Sequence, residues 1–167
     1  MPTNRKTSSH QIRPVTKKDI PGLLEMIHEL AVYEKLEHVL VATEQDYDKA
    51  LFGEKPSAEA LIAQTAEGSL CGYAIFFQTF SSFKGRPGIW LEDIYVRPDF
   101  RSLGVGSTLL KSVACIAHER NAGRYEWCVL DWNQDAIDFY KRAGAKVLQE
   151  WKIVRTEGDA IAKLANG

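Results

Sequence analysis

The stretch IWLEDIYVRPDFRSLGVGSTLL, residues 89–110, joins a strong strand pattern to a strong helix pattern. Residues 89–96 are apolar on both alternating faces except at two acids in the middle, which predicts a strand covered on both sides. From Gly104 the apolar residues recur at helical spacing, and this pattern ends near residues 121–123. The chain is therefore predicted to contain a strand, a glycine-containing turn and a helix at its centre.

Two helices and further strands are predicted before this central unit. A short strand at residues 11–13 leads to a helix that Thr16 can cap and that reaches about Tyr33. Thr43 repeats the capping pattern for a shorter helix, and Gly53 is placed to end it in a left-handed turn. The pattern then becomes that of consecutive antiparallel strands, at residues 60–66, 70–80 and 89–96.

The last part of the chain alternates strand and helix patterns. We predict a strand at residues 125–130, a helix at 133–143 closed by Gly144, and one or two strands within 146–154. Together, these elements predict a mixed α/β fold, in the α+β class. Its centre is a mixed, mostly antiparallel sheet of six to seven strands, with helices on both faces.

Length and composition limit the possible classes of protein. The chain has 167 residues, 45% of them apolar and 26% charged, which fits one ordinary hydrophobic core. Residues 10–167 are predicted to form a single domain after a polar, flexible N-terminus at residues 1–9. With 21 basic against 22 acidic residues, the chain has no general cationic field for nucleic acid or anionic lipid.

Membrane, disulfide and metal chemistry are not expected. No apolar run approaches the ~20 residues that cross a bilayer, and no signal-peptide core follows the start, so we expect a cytoplasmic protein. The 3 cysteines show no CxxC spacing and predict reduced thiols. The 4 histidines lack metal-ligand spacing, so no metal is assigned.

The turn at residues 97–107 is predicted to hold an anion. Glycine allows close approach of backbone to a ligand, and the first N–H groups of a helix have no internal partner. The helix dipole and Arg101 add positive charge, which suits a pyrophosphate. The alternative is a strand-to-helix turn that needs glycine only for its geometry. Since the motifs of nucleotide triphosphate and dinucleotide loops are missing, coenzyme A is the obvious pyrophosphate carrier.

Several segments carry a resemblance to a known family. The segment RSLGVG, residues 101–106, resembles the acetyl-CoA signature of the GNAT superfamily of N-acetyltransferases. WLEDIYV (90–96), VLDWNQ (129–134) and DFYK (138–141) resemble its spermidine/spermine and thialysine (diamine) branch, and are closest to the thialysine-type members. The similarity covers residues 12–144, with the segments in the family's order.

This resemblance implies the GNAT fold, acetyl-CoA as co-substrate, direct attack by a primary amine in a ternary complex, and a homodimer. Backbone N–H groups of residues 94–96 would stabilise the thioester oxygen and hold the pantetheine arm like an added strand. The implied coenzyme-binding residues are Ile94, Tyr95, Val96, Arg101, Ser102, Leu103, Gly104, Val105, Gly106, Ser107, Asn133, Ala136 and Tyr140.

The two acids of the central strand are candidates for a catalytic base. Alternation would send Glu92 and Asp93 to opposite faces, and either could simply pair with an arginine or a backbone amide. The resemblance assigns to Glu92 the role of general base, acting directly or through water. A base is needed because a primary amine of pKa ~10.4 is neutral in only about one molecule in 2,500 at pH 7.

The helix that begins at Asn133 carries the second catalytic candidate. Tyr140 could be a core tyrosine, but the resemblance implies that it protonates the departing thiolate as general acid. Asn133 is expected both to cap the helix and to bind pantetheine. Tyr33 and Glu34 match a pair that lines the acceptor cleft in the family, or they form a solvated helix end.

The acceptor is predicted to be a short diamine or a lysine-like amine. The polyamine enzyme has an acid in the loop between the third and fourth strands, whereas this chain has FSSF at residues 80–83. Fewer acids hold a long polycation less strongly. Two alternatives stay open: acetylation of a protein or peptide amine, and a catalytically silent module that binds coenzyme A.

Overall fold

The computed structural model describes residues 10–167, which fall into two compact units. The first unit ends at Cys128, and the second spans Val129–Gly167. The expected flexible N-terminus at residues 1–9 lies outside the described residues. A single domain over residues 10–167 stays a prediction.

The first unit is built on one mixed sheet. Its strands lie in the order β1-β2-β3-β4-β5, antiparallel from β1 to β4, with β5 parallel to β4. This confirms a mixed, mostly antiparallel sheet, although residues 10–167 contribute five strands to it rather than the predicted six to seven. The strands are β1 (His10–Pro14), β2 (Glu59–Thr65), β3 (Leu70–Ser81), β4 (Arg86–Val96) and β5 (Tyr125–Trp127).

Helices cover both faces of this sheet, as predicted. The three helices of the unit are α1 (Ile20–Glu34), α2 (Glu44–Phe52) and α3 (Val105–Glu119). Leu23 and Met26 of α1 pack in one buried cluster with Tyr73 of β3. The preceding residue, Gly72, faces α3: a Cβ there would lie 3.3 Å from the Leu109 side chain and 2.7 Å from the Tyr95 carbonyl oxygen. Because successive strand residues point to opposite faces, α1 and α3 lie on opposite sides.

The second unit contains two helices, α4 (Gln134–Arg142) and α5 (Asp159–Asn166). The Asn133 side chain caps α4, where its Oδ1 accepts the Ala136 N–H at 3.3 Å. Gly144 follows the helix with φ +90°, a conformation that glycine adopts without a steric penalty. The predicted start and end of this helix are therefore confirmed. Among the described residues, no helix combines the length and apolar character needed to cross a bilayer.

The prediction of one or two strands within residues 146–154 is wrong. The structure is irregular there, and Trp151 and Val154 are 72% and 93% exposed. Apolar alternation makes a strand only where another strand accepts from its N–H groups and donates to its C=O groups. The described part of the second unit contains no strand that could do so.

The left-handed turn predicted at Gly53 is also wrong. Gly53 has φ −68° and ψ 176°, an extended conformation open to any residue. Glycine is needed at this position for a steric reason instead, because a Cβ would lie 2.5 Å from the backbone oxygen of Lys49. Close approach of the chain to α2 therefore excludes a side chain at this position.

Candidate active site

The turn between β4 and α3 presents a row of backbone donors. Ser102 and Gly104 have φ values of +62° and +85°, in the left-handed region that occurs in anion-binding turns. The six N–H groups from Ser102 to Ser107 have no hydrogen-bond acceptor among the described residues. Because the last three open α3, the helix dipole adds positive potential to them. These donors suit a phosphate or pyrophosphate.

Gly104 leaves the centre of this turn open. A Cβ built on it would have no other heavy atom within 4 Å, and the residue precedes the first residue of α3. Glycine is therefore favoured here by its positive φ and not by crowding within the protein.

Within the first unit, the end of β4 next to the turn has a strand partner on one side only. β3 pairs with residues Ile94 to Val96 on one side. On the other side, the described pairing with β5 covers only Ile89 to Leu91. Within the first unit, the backbone beyond Leu91 on that side therefore has no strand partner. An exposed edge of this kind can pair with an extended chain that carries amide groups.

A β-bulge interrupts β4 at Glu92. Asp93 is paired with Ile75 and Leu91 with Phe76, so Glu92 has no partner on β3. Glu92 is exposed, and its Oε2 accepts the indole N–H of Trp90 at 2.9 Å. The prediction of unbroken alternation is wrong at this point, because a bulge adds a residue and redirects the side chains.

Three carboxylates, Glu34, Glu92 and Asp93, interact electrostatically, and we call them the acid cluster. Burial raises the pKa of Asp93 to about 6, with the charges of Glu92 and Glu34 adding to the effect. Burial also raises the pKa of Glu34 above its ordinary value. A cluster of acids favours a positively charged ligand.

Two tyrosines on other elements interact electrostatically with members of the acid cluster. Burial, and then the charges of Asp93 and Glu92, raise the pKa of Tyr47 on α2. Tyr73 of β3 is fully buried, and burial followed by the charge of Asp93 raises its pKa well above the ordinary value. The Tyr73 hydroxyl stabilises ionised Asp93, although it has no partner in regular hydrogen-bond geometry among the described residues.

We expect Asp93→Asn to increase stability at neutral pH. The folded-state pKa of about 6 lies above the ordinary 3.8, so the native state binds the proton more tightly than the unfolded state. Stability is then lost as the pH rises from about 4 to about 6, and the cost above that range is roughly 3 kcal/mol. Denaturant titrations of both proteins at pH 4 and pH 7.5 should show a difference that grows with pH. A difference independent of pH would contradict the account.

Three of the predicted coenzyme-binding residues lie in the second unit. Asn133 caps α4, while Ala136 and Tyr140 lie four residues apart and share one face of that helix. Tyr140 is 8% exposed, and its ring lies 5.2 Å from that of Phe139. The roles of these residues toward the coenzyme and the reaction stay predictions.

In the first unit, the structure brings the predicted site residues into two groups. Arg101 stacks near Tyr33 and Tyr95 beside the turn, and Glu34 interacts with Asp93 at the middle of β4. Sequence reasoning treated Asp93 as the more structural of the two acids and did not single out Tyr47 or Tyr73. The sequence offered one signal for Asp93, an acid within an apolar strand. It offered none for the tyrosines, because their proximity depends on the meeting of α2 with the sheet.

These residues fit coenzyme A on chemical grounds. The turn supplies unpaired N–H donors and the cation of Arg101 for a diphosphate, and the open edge of β4 supplies backbone groups for an amide-bearing arm. Within the described part of the chain, no cluster of three or more His, Cys, Asp or Glu side chains could hold a metal ion.

Comparisons with known proteins agree with this geometry. Residues 25–145 match the model of the acetyltransferase (GNAT) family. The chain is 38% identical over 164 residues to the thialysine N-epsilon-acetyltransferase of Sus scrofa, covering 92% of this chain and 96% of the relative. It is 31% identical to the L-ornithine N5-acetyltransferase NATA1 of Arabidopsis thaliana, over 96% of this chain and 89% of that protein.

A solved structure from V. cholerae, the integron cassette protein VCH_CASS6, has a similar fold. It superposes with a TM-score of 0.78 at 29% identity, covering 95% of this chain and 99% of that one.

Proposed function

We propose that this chain, which belongs to the acetyltransferase (GNAT) family, acetylates a primary amine of a small diamine, a polyamine or a lysine-like molecule. Family membership itself makes the protein an acetyl-CoA-dependent N-acetyltransferase. The observation that carries the choice of acceptor is the acid cluster of Glu34, Glu92 and Asp93, since an ammonium ion offsets the repulsion among three carboxylates. The thialysine and ornithine acetyltransferases among the relatives support the same choice.

In the proposed mechanism, acetyl-CoA supplies the acyl group as a thioester. Glu92 accepts a proton from the acceptor ammonium, directly or through water, so that a neutral amine can attack. The backbone N–H groups of residues 94–96 donate to the oxygen that gains negative charge. As the C–N bond of the amide forms and the C–S bond breaks, Tyr140 would donate its phenolic proton to the departing sulfur, and the proton released from the amide nitrogen would restore the phenol.

Different residues are proposed to form the coenzyme site and the acceptor site. We propose that the turn from Arg101 to Ser107 binds the diphosphate, and that Asn133 and Ala136 bind the pantetheine arm. Tyr33 and Glu34 are proposed to line the acceptor side. On the family resemblance alone, we also propose a homodimer. On composition and charge, we propose a cytoplasmic location with no nucleic acid or membrane partner.

An amine panel tests the choice of acceptor. The protein is incubated with acetyl-CoA and, separately, with putrescine, ornithine, lysine, thialysine, spermidine and a peptide with a free N-terminus, while release of the coenzyme thiol is followed. A reaction without amine serves as the blank. We expect the fastest release with short diamines or lysine-like amines. Release with the peptide alone would favour a protein acetyltransferase, and coenzyme binding without release on any amine would favour a silent module.

We expect Glu92→Gln to lower kcat/KM at pH 7 by roughly 10²-fold, the effect typical of removing a general base. The acidic limb of the pH profile should flatten, because an amide does not titrate. Since Glu92 raises the pKa of Asp93, any remaining limb should move to lower pH. The profile is measured from pH 5 to pH 9, with Glu54→Gln as a control that removes an exposed charge elsewhere. An unchanged acidic limb would remove Glu92 from the role of base.

A further inference from the structure

Two arginines near the end of β4 have different surroundings. The guanidinium of Arg97 donates to Glu29 at 3.0 Å and to the backbone oxygen of Leu70 at 3.0 Å, and it also pairs with Glu25 at 3.4 Å. Arg97 is therefore neutralised by carboxylates of α1. In contrast, Arg101 has no acidic partner within ion-pair distance among the described residues. Its positive charge is available to an anion.

Arg101 contacts aromatic rings rather than acidic side chains. Its guanidinium carbon lies 5.2 Å from the centroid of the Tyr33 ring and 5.8 Å from that of the Tyr95 ring. Its Nε donates to the backbone oxygen of Val96 at 3.0 Å, which fixes the side chain against the end of β4. A guanidinium over an aromatic ring is attracted electrostatically by the ring face, and this contact does not occupy its N–H groups. The two terminal nitrogens have no acceptor among the described residues.

One face of α1 supplies both sets of contacts. Glu25, Glu29 and Tyr33 follow one another at intervals of four residues, the spacing that places side chains along one helix face. The first two contact Arg97, and the third contacts Arg101. α1 thus binds the end of β4 through Arg97 and orients the side chain of Arg101 beside the turn. Tyr95 is buried, so the inner ring is part of the core, whereas Tyr33 is 39% exposed.

We propose that Tyr33 is a positioning residue for coenzyme binding, which it promotes by stacking on Arg101 and presenting that guanidinium to the diphosphate. This inference rests on the proposed coenzyme role of the turn and adds a second role to the acceptor-side role expected for Tyr33. The stack removes conformational freedom from a long, exposed side chain before the ligand arrives, so less entropy is lost on binding. The hydroxyl of Tyr33 is not needed for this, since the ring face makes the contact.

The test compares Tyr33→Leu, which removes the ring, with Tyr33→Phe, which keeps it. Dissociation constants for coenzyme A alone are measured by calorimetry, and melting temperatures are recorded for each variant. A cation–π contact at an exposed site predicts about a two- to fivefold weaker affinity for Tyr33→Leu. Tyr33→Phe should restore the wild-type affinity. With a reactive amine, KM for acetyl-CoA should rise in Tyr33→Leu more than kcat falls.

A double-mutant cycle with Arg101→Ala shows whether Tyr33 affects coenzyme affinity through Arg101. If Tyr33 acts through Arg101, Tyr33→Leu should have no further effect on coenzyme affinity once the guanidinium is gone. An undiminished loss in the Arg101→Ala background would overturn the proposal, and so would equal affinities of wild type and Tyr33→Leu. A wild-type protein that fails to bind coenzyme A would refute the proposed function instead, so the two failures are distinguishable.

Discussion

Gly104→Asp is expected to lower the affinity for coenzyme A by about 10³-fold without unfolding the protein. The carboxylate would lie among the unpaired N–H groups of the turn and repel the diphosphate. Two like charges about 4 Å apart near a protein surface repel by about 4 kcal/mol, which accounts for the size of the loss. Asp tolerates positive φ better than most residues, and no heavy atom lies within 4 Å of the added Cβ, so the fold should persist.

Gly104→Asn is the matched control for this experiment. Asn has nearly the same size and also tolerates φ +85°, but it carries no charge. The Asn variant should therefore lose much less affinity in calorimetric titrations with coenzyme A, while both variants show similar melting temperatures. Asp and Asn variants that bind coenzyme A within a factor of ten of each other would contradict an anion site at the turn.

Tyr140→Phe is expected to lower kcat by about 10²- to 10³-fold and to leave coenzyme affinity nearly unchanged. Loss of a general acid reduces the rate by this order, because the thiolate must then leave without a proton. The ring remains, so its contact with Phe139 at 5.2 Å is retained. The kinetic signature is a fall in kcat and kcat/KM together, measured by thiol release at saturating amine.

Tyr125→Phe provides a control for the loss of a buried phenol hydroxyl. Tyr125 lies in β5 and has no proposed part in the reaction, so this change should leave kcat within about twofold of wild type. If Tyr140→Phe has the same small effect as Tyr125→Phe, Tyr140 is a structural tyrosine and the acid must be sought elsewhere.

Local sequence signals predicted the strand, turn and helix around residues 89–110 correctly. The helical start at Gly104 and the cap at Asn133 depend on a few neighbouring residues, so their patterns are sufficient. The strand prediction for residues 146–154 failed because it rested on local pattern alone. A strand also needs a hydrogen-bonding partner strand, which may lie anywhere in the chain.

The acid cluster could be predicted only in part. Glu34 and Glu92 were identified through a family resemblance, and Asp93 was visible as an acid within an apolar strand. The bulge that redirects β4 arises from the register between β3 and β4, which no local pattern in either strand encodes. The proximity of Tyr73 to Asp93 likewise requires the two strands to be paired, and the stack of Arg101 on Tyr33 requires α1 to lie across the strand end.

Calorimetric titration of the wild-type protein with coenzyme A and with pantetheine is the most direct test of the account. Pantetheine keeps the thiol and both amides of the arm but lacks the 3′-phosphorylated ADP part of coenzyme A, which includes the diphosphate that the turn is proposed to hold. We predict one binding site for coenzyme A and an affinity for pantetheine weaker by at least about 10²-fold, as expected from the loss of several charge-assisted hydrogen bonds. Equal affinity for the two ligands, or no heat with coenzyme A, would contradict the central claim.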